Sequence, residues 1–255
     1  MVLNIVERHK LILDKLEKDG FVNVNDLSKE FQVSAVTIRK DLKLLEERKL
    51  LFRSHGRAIP SNPYIIDHHV AIKEKINTDQ KQQIANAAKK TIQPNDTIIM
   101  ASGTSVIEFA RQIAEMEKLT VVSASLNTSL ILSKNPNIDV IQLGGSVRTS
   151  SSSVIGPIGE KMLAEFTFTK LFLGVDGIDL DYGLTTTNAM EASLNKVMIK
   201  AAQRIIVLAD SSKFGRKGFG RICGLEEVDQ IITDKGIDEK TRTRIIELGI
   251  DLIVV

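Results

Sequence analysis

The sequence predicts an α/β protein: a small helical N-terminal module followed by a larger, mainly parallel sheet covered by helices. Three observations predict it. From Asn95 onward, short apolar runs alternate with helical patterns, as repeated strand–helix units do. The first sixty residues instead hold short amphipathic helices joined by a tight turn. Between the two lies Ala58–Tyr64, uncharged and carrying two of the five prolines, which reads as a hinge. A length of 255 residues suits two domains at roughly 100–200 residues each. The predicted division is 1–58 for the module, 59–75 for the linker and 76–255 for the sheet domain.

Composition narrows the class. At 43% hydrophobic residues the chain can bury a core, which excludes a disordered tail. One cysteine excludes a disulfide framework and any multi-cysteine zinc site. No apolar run nears the ~18–20 residues of a membrane span, and MVLNIVERHK is charged within its first ten residues, so a cytoplasmic protein without membrane contact is expected. The net charge of +2 conceals an asymmetry: residues 1–60 carry +3 and the rest −1. Within Val33–Arg57, seven basic residues face three acidic ones, a local basic patch of the kind nucleic-acid modules carry.

In chain order, Asn4–Lys18 reads as an amphipathic helix with Ile5, Ile12, Leu13 and Leu16 on one stripe, stopped at Asp19-Gly20. Asn25-Asp26 is expected to cap a short helix to Phe31, and Ser34 a second one to about Arg48. Such a pair is a helix-turn-helix, whose second helix enters the major groove. On that helix Ala35, Ile38, Leu42 and Leu45 share a core face, whereas Val36, Arg39, Lys40 and Lys43 share the opposite one. Arg pairs bidentately with guanine, Lys neutralises phosphate, and Val touches a thymine methyl. Ser34 and Thr37 at the helix start suit phosphate or base-edge hydrogen bonds. Leu50-Leu51-Phe52 then begins an extended run, and Arg53, His55 and Arg57 form a basic hairpin tip around Gly56, a wing. Asp67–Asn86 is polar and helical by pattern. Its adjacent His68 and His69 point to different faces, so no metal is expected there.

The sheet domain is predicted from strands at Thr97–Met100, Leu119–Val122, Asp139–Leu143, Lys170–Val175, Arg204–Ala209, Gln230–Thr233 and Asp251–Val255. Helices at Val106–Ala114, Thr128–Ser133, Met190–Ala202 and Asp238–Leu248 alternate with them. Ligands of such sheets bind at the carboxyl ends of the strands. There stand Ser102-Gly103-Thr104-Ser105, Gly144-Gly145 with Arg148, Asp176-Gly177, Thr185–Thr187 and Asp210–Gly215. Hydroxyls and backbone N–H groups at a helix start can cradle an anion, and Arg148 and Lys213 can supply cations to a phosphate. Asp176 and Glu191 can accept hydrogen bonds from sugar hydroxyls. The Gly-Lys-[Ser/Thr] ending of a Walker loop is absent.

Val33-Ser-Ala-Val-Thr-Ile-Arg-Lys-Asp-Leu42 with Leu51-Phe-Arg-Ser-His-Gly-Arg-Ala58 resembles the winged helix-turn-helix of the DeoR family of bacterial sugar-metabolism repressors. Lys40 stands where that family usually has a second Arg, Gln32 replaces a turn Gly, and Arg57 replaces the second wing Gly. Phe172–Ile178, Gly183–Thr186, Glu191-Ala192 and Asp210–Gly215 are similar to the family's effector domain, related in fold to ribose-5-phosphate isomerase and glucosamine-6-phosphate deaminase. The resemblance implies a regulator, expected to repress a sugar-catabolism operon and to leave its operator when a phosphorylated sugar binds. It implies Ser102, Gly103, Thr104, Gly144, Gly145, Asp176, Gly177, Thr186, Glu191 and Lys213 as effector residues. The wording of Leu194-Asn195 and Ser211–Arg216 is closest to the branch governing N-acetylgalactosamine and related amino-sugar use. Where the family commonly has Asp and Thr-Asn, this chain has Ala101 and Ser123-Ala124, which is expected to strip polar groups from the pocket.

The partners expected are double-stranded operator DNA, a small phosphorylated sugar and a second copy, as a homodimer or homotetramer, because one small module buries too little surface for operator-grade affinity. No cofactor is expected. The competing reading is a sugar-phosphate isomerase with a DNA-binding appendage, whose acid and base would come from Asp176, Asp179, Asp181, Glu191 and Lys213. A third is architectural DNA binding without a ligand.

Overall fold

The computed structural model describes residues 3–19, 21–48, 50–54, 57–60 and 69–255. The chain divides into two units, Met1–Ile66 and Asp67–Val255.

The first unit runs α1 (Ile5–Asp19), β1 (Val22–Asn23), α2 (Val24–Glu30), α3 (Ala35–Glu47), β2 (Leu51–Ser54) and β3 (Arg57–Pro60). Its strands form an antiparallel sheet in the order β1-β3-β2. Ile12, Leu16, Leu27, Ile38, Leu42, Leu45 and Leu51 are buried together with Ala58. Ile5, expected on the buried stripe, is exposed, so the apolar anchorage of α1 centres on Ile12 and Leu16. The α2 cap is Asn23 rather than Asn25-Asp26: its carboxamide oxygen accepts the Asn25 N–H at 2.8 Å. Ser34 caps α3 as read, its Oγ accepting the Thr37 N–H at 3.1 Å. Gln32 makes the turn between the two helices at φ 53°, the left-handed region that costs a non-glycine residue about 1 kcal/mol. Ala58, Ile59 and Pro60 are not hinge but strand, paired with Arg53, Phe52 and Leu51, so the wing runs past the expected end of the module at 58. His55, Gly56, His68 and the linker stretch 61–68 lie outside the described residues.

The second unit opens with α4 (Val70–Lys73) and α5 (Thr78–Lys89), broken apart at Asn77, which takes φ 52°. The single helix expected over 67–86 is therefore two, and α4 falls within the stretch read as linker. The chain continues through β4 (Thr97–Met100), α6 (Thr104–Ile113), β5 (Leu119–Ser123), α7 (Leu126–Leu132) and β6 (Ile138–Gln142). There follow β7 (Ser146–Arg148), β8 (Ser153–Ile155), α8 (Pro157–Leu163), β9 (Lys170–Gly174), β10 (Gly177–Asp179), β11 (Gly183–Thr186) and α9 (Ala189–Ala201). The last elements are β12 (Ile205–Leu208), β13 (Gly220–Cys223), β14 (Gln230–Thr233), α10 (Glu239–Glu247) and β15 (Asp251–Val254).

Seven of these strands form one sheet, order β15-β14-β12-β9-β4-β5-β6, with every pairing parallel. Alternation along β4 shows why both faces are covered. Ile98 and Met100 pack with Ile84, Ala88 and Phe109 of α5 and α6, while Ile99 packs in the opposite core with Leu194 and Met198 of α9. The chain starts the sheet at β4, builds outward to β6, then returns to β9 on the other side of β4. Strand order thus reverses between β4 and β9, the place where open α/β sheets leave a crevice at their carboxyl ends. The β7–β8 hairpin, helix α8 and the small antiparallel sheet β10-β11-β13 were not anticipated. Among the described residues, no helix is long and apolar enough to cross a membrane.

Candidate nucleic-acid interface and ligand cavity

In the first unit, α3 divides as its wheel requires. Ile38, Leu42 and Leu45 are buried, whereas Val36, Arg39, Lys40 and Lys43 are exposed together, Val36 to 58%. Val36 thus offers an apolar group in solvent beside three basic side chains. Ser34 and Thr37 share a hydroxyl contact of 2.9 Å at the helix start. Lys43 lies 3.9 Å from Glu47 and leaves most of its side chain in solvent. Arg53 does more than offer charge. Its Nε donates to Glu46 at 2.6 Å and its backbone N–H at 2.9 Å, tying the wing to α3. Those bonds, first from the side chain and then from the backbone, hold the Glu46 carboxyl below its usual range. Arg57 belongs to β3; His55 lies outside the described residues.

One residue of α3 escaped the sequence reading. Asp41 is buried, its carboxylate accepting from Arg8 Nε at 2.8 Å and Arg8 Nη2 at 3.1 Å, with His9 Nε2 at 3.2 Å. This carboxylate fixes α3 against α1 by a charge-assisted fork. An acidic residue between Lys40 and Leu42 carries no such signal locally, because its partners lie 33 and 32 residues away.

In the second unit, a small cavity of about 50 Å³ opens at the β4/β9 reversal. The loop after β4 turns at Gly103, whose φ of 123° admits glycine, and no side chain caps the α6 N-terminus. Gly174 lets the backbone after β9 approach, since a Cβ there would stand 2.7 Å from the Ser102 carbonyl oxygen. Gly103, Thr104 and Ser105 therefore present the positive end of α6 to the cavity.

Two carboxylates organise the walls. Glu191, buried in the first turn of α9, accepts from Ser102 Oγ at 2.5 Å and Arg148 Nη1 at 2.9 Å. Ser153 Oγ lies 3.3 Å and Thr186 Oγ1 3.2 Å from the same carboxylate. Asp176 accepts from Lys73 Nζ at 2.8 Å and the Thr187 N–H at 3.2 Å. Thr186 Oγ1 is also 3.1 Å from Asp176, and its one proton can serve only one of the two carboxylates at a time. Burial acts to raise the Asp176 pKa, but the charges of Lys73 and Lys213, with hydrogen bonds from Lys73 and Thr187, hold it well below the carboxylate range. Lys213, half-buried on the loop after β12, is pushed down by burial and drawn back up by Asp210 and Asp176. Three cations, Lys73, Arg148 and Lys213, thus line the cavity with two carboxylates, Asp176 and Glu191, while Asp210 acts on Lys213 from outside the lining.

Of the effector residues read from sequence, the cavity unites Ser102, Gly103, Thr104, Arg148, Asp176, Thr186, Glu191 and Lys213. Gly144, Gly145 and Gly177 do not line it. Gly144 and Gly145 are exposed before β7, and Gly177 is buried in β10, where a Cβ would meet the Arg216 carbonyl oxygen at 2.5 Å. Ala101 and Ala124 do not line it either. Both are buried in the apolar core. Asp179 binds the backbone of its own turn and Lys217, and like Asp181 lies outside the cavity, which dissolves the five-residue isomerase set. Lys73, Ser150, Ser151 and Asn195 line the cavity unforeseen. Lys73 had been assigned to the linker, and no local pattern marks a partner 103 residues away.

Known proteins bear on both units. A DeoR-like helix-turn-helix domain model matches residues 8–63, and a DeoR C terminal sensor domain model matches residues 76–235. A protein of Escherichia coli named as a putative aga operon transcriptional repressor is 37% identical, over 98% of this chain and 93% of its own. The transcriptional repressor AccR of Agrobacterium fabrum is 31% identical over 96% of this chain and 99% of its own. A ribose 5-phosphate isomerase of Methanocaldococcus jannaschii superimposes with a TM-score of 0.41 at 18% identity, over 54% of this chain and 55% of that one, too loose a likeness to build on.

Proposed function

The chain belongs to the DeoR family of transcriptional regulators, and from that premise we propose that a phosphorylated sugar entering the cavity around Glu191 releases this repressor from its operator. The observation that carries the reading is the pairing, in one cavity, of an uncapped helix N-terminus and three cations with two carboxylates. The cationic side fits a phosphate, and Asp176 and Glu191 fit hydroxyls. Glu191 already holds up to four donors from its own chain, so a ligand hydroxyl reaches it only by displacing one of them. The protein acts as a regulator and not as an isomerase.

The exposed face of α3, with Val36, Arg39, Lys40 and Lys43, reads the major groove; Ser34 and Thr37 hold phosphate or base edges, and the wing residues Arg53, His55 and Arg57 touch backbone or minor groove. Two or four copies, joined through their sensor units, set the spacing of the half-sites. The work is done in the cytoplasm, where the operator is. The relative named for the aga operon, with the Leu194-Asn195 wording, favours an amino-sugar phosphate. Thermal shift with N-acetylgalactosamine 6-phosphate, ribose 5-phosphate, the unphosphorylated sugars and inorganic phosphate tests the cavity. Fluorescence anisotropy on a DNA fragment selected by the protein from a random pool then tests release. A phosphorylated sugar should raise Tm and weaken DNA binding. If none does either, the reading fails.

A further inference from the structure

Helix α4 and the turn after it are fastened to the cavity at three places. The Val70 N–H donates to the Ser150 carbonyl at 2.6 Å, Lys73 Nζ to Asp176 at 2.8 Å, and Asn77 Nδ2 to Asp210 at 3.0 Å. Ser150 and Asp176 line the cavity, and Asp210 precedes the loop that carries Lys213 into it. From the far side, Lys81 Nζ donates to the carbonyls of Lys73 and Ile76 at 2.5 Å each, closing the end of α4. Lys81 is itself buried, and that burial lowers its pKa to about 8, so its charge is kept there at a cost the two carbonyls help offset. A four-residue helix has almost no stability of its own. Its position is set by these contacts. The chain just before α4 is the tether to the DNA-reading unit.

We propose that Lys73 is the positioning residue through which an occupied cavity acts on that tether. This rests on the ligand reading above and deepens it. A ligand hydroxyl that takes up Asp176 competes with the Lys73 ammonium, and a ligand phosphate that takes up Lys73 competes with Asp176. Either replacement changes what α4 is bonded to. Two states then differ in a contact that the ligand itself remakes, the condition for coupling a sensor to a distant site. Ser102 lies in the loop after β4, Thr104 opens α6 and Glu191 lies in the first turn of α9, so these three hold the ligand from elements other than α4.

The experiment compares wild type, Lys73→Met and Lys73→Arg as full chains. Calorimetry gives affinity for N-acetylgalactosamine 6-phosphate, or for whichever sugar phosphate raised Tm in the screen. Anisotropy gives the ratio of operator Kd with and without it. Wild type should show a ratio of about 10 or more, within the usual span of allosteric coupling. Lys73→Met, which lacks the contact that the ligand would remake, should bind ligand within about tenfold of wild type, show a ratio below 2, and bind operator without ligand about as weakly as liganded wild type does. Lys73→Arg should restore the ratio at least in part. The proposal is overturned if Lys73→Met keeps the wild-type ratio. It is overturned equally if ligand binding vanishes with release, since Lys73 would then be an ordinary ligand contact. Failure of wild type itself to bind any phosphorylated sugar defeats the underlying reading and shows in the first arm alone. Far-UV circular dichroism of each variant establishes that it is folded.

Discussion

Arg8→Ala should loosen the recognition helix by about 3 kcal/mol. The Arg8 and Asp41 side chains are 11% and 3% exposed, so neither solvent nor salt screens the pair strongly. Removing one partner of a buried ion pair costs roughly 3–5 kcal/mol, because the remaining charge is left without compensation. His9 still reaches Asp41 at 3.2 Å, which places the expected loss at the lower end of that range. A unit of about sixty residues has a total stability of roughly 3–9 kcal/mol, at about 0.05–0.15 kcal/mol per residue. The substitution therefore removes between a third and all of it. Amide exchange of Ile38, Leu42 and Leu45 in the intact chain reads this directly, without requiring the unit to be excised. Those amides should exchange about a hundredfold faster, since each 1.4 kcal/mol is about a factor of ten. Lys43→Ala serves as the control: its pair with Glu47 spans 3.9 Å between exposed side chains, and the change should stay within about 0.5 kcal/mol. Protection in Arg8→Ala within that same 0.5 kcal/mol would refute the claim that Asp41 anchors α3.

Other predictions concern function and chemistry. Arg39→Ala should cut discrimination between operator and random DNA by about 1–3 kcal/mol, whereas Lys40→Ala should weaken both alike and lower the slope of log K against log salt by about one. Equal losses for Arg39→Ala on the two DNAs would remove it from base readout. Lys213→Ala should leave unliganded DNA affinity intact and abolish release by the sugar phosphate; persistence of release would take Lys213 out of the site. Burial, with Glu227 and Glu226 adding to it, pushes the Cys223 thiol up to about 12. Since its folded value lies above the unfolded one near 9, the unfolded chain deprotonates first and this contribution to stability fades from about pH 9 upward. Iodoacetamide at pH 8 should therefore label native Cys223 far more slowly than denatured Cys223; comparable rates would contradict its burial.

What could be read from the sequence and what could not divides by distance along the chain. The Ser34 cap lies three residues from the N–H it serves, and the strand Thr97–Met100 advertises itself by its own apolar run, so both were visible. The strand-end loops were visible for the same reason: glycine and hydroxyl residues follow short apolar runs at each. The hairpin β7–β8 and the sheet β10-β11-β13 consist of three- and four-residue strands rich in Ser, Thr and Gly, which have too little periodicity to declare themselves. The pairing of charges was hidden altogether. Arg148 was read as a cation for phosphate, but its guanidinium is bound to Glu191, 43 residues on, at 2.9 Å. A ligand phosphate would have to share Arg148 with that carboxylate. Lys213, half-buried with no single short ion pair of its own among the described contacts, faces both Asp210 and Asp176 and is the cheaper cation to redirect. Lys73, the third cation, was lost to the sequence reading because it sits in a stretch that looked like linker. Of the three cations it is the nearest, along the chain, to the first unit. The motif residues thus carry the proposed ligand site, and Lys73, outside the motif, carries the proposed coupling.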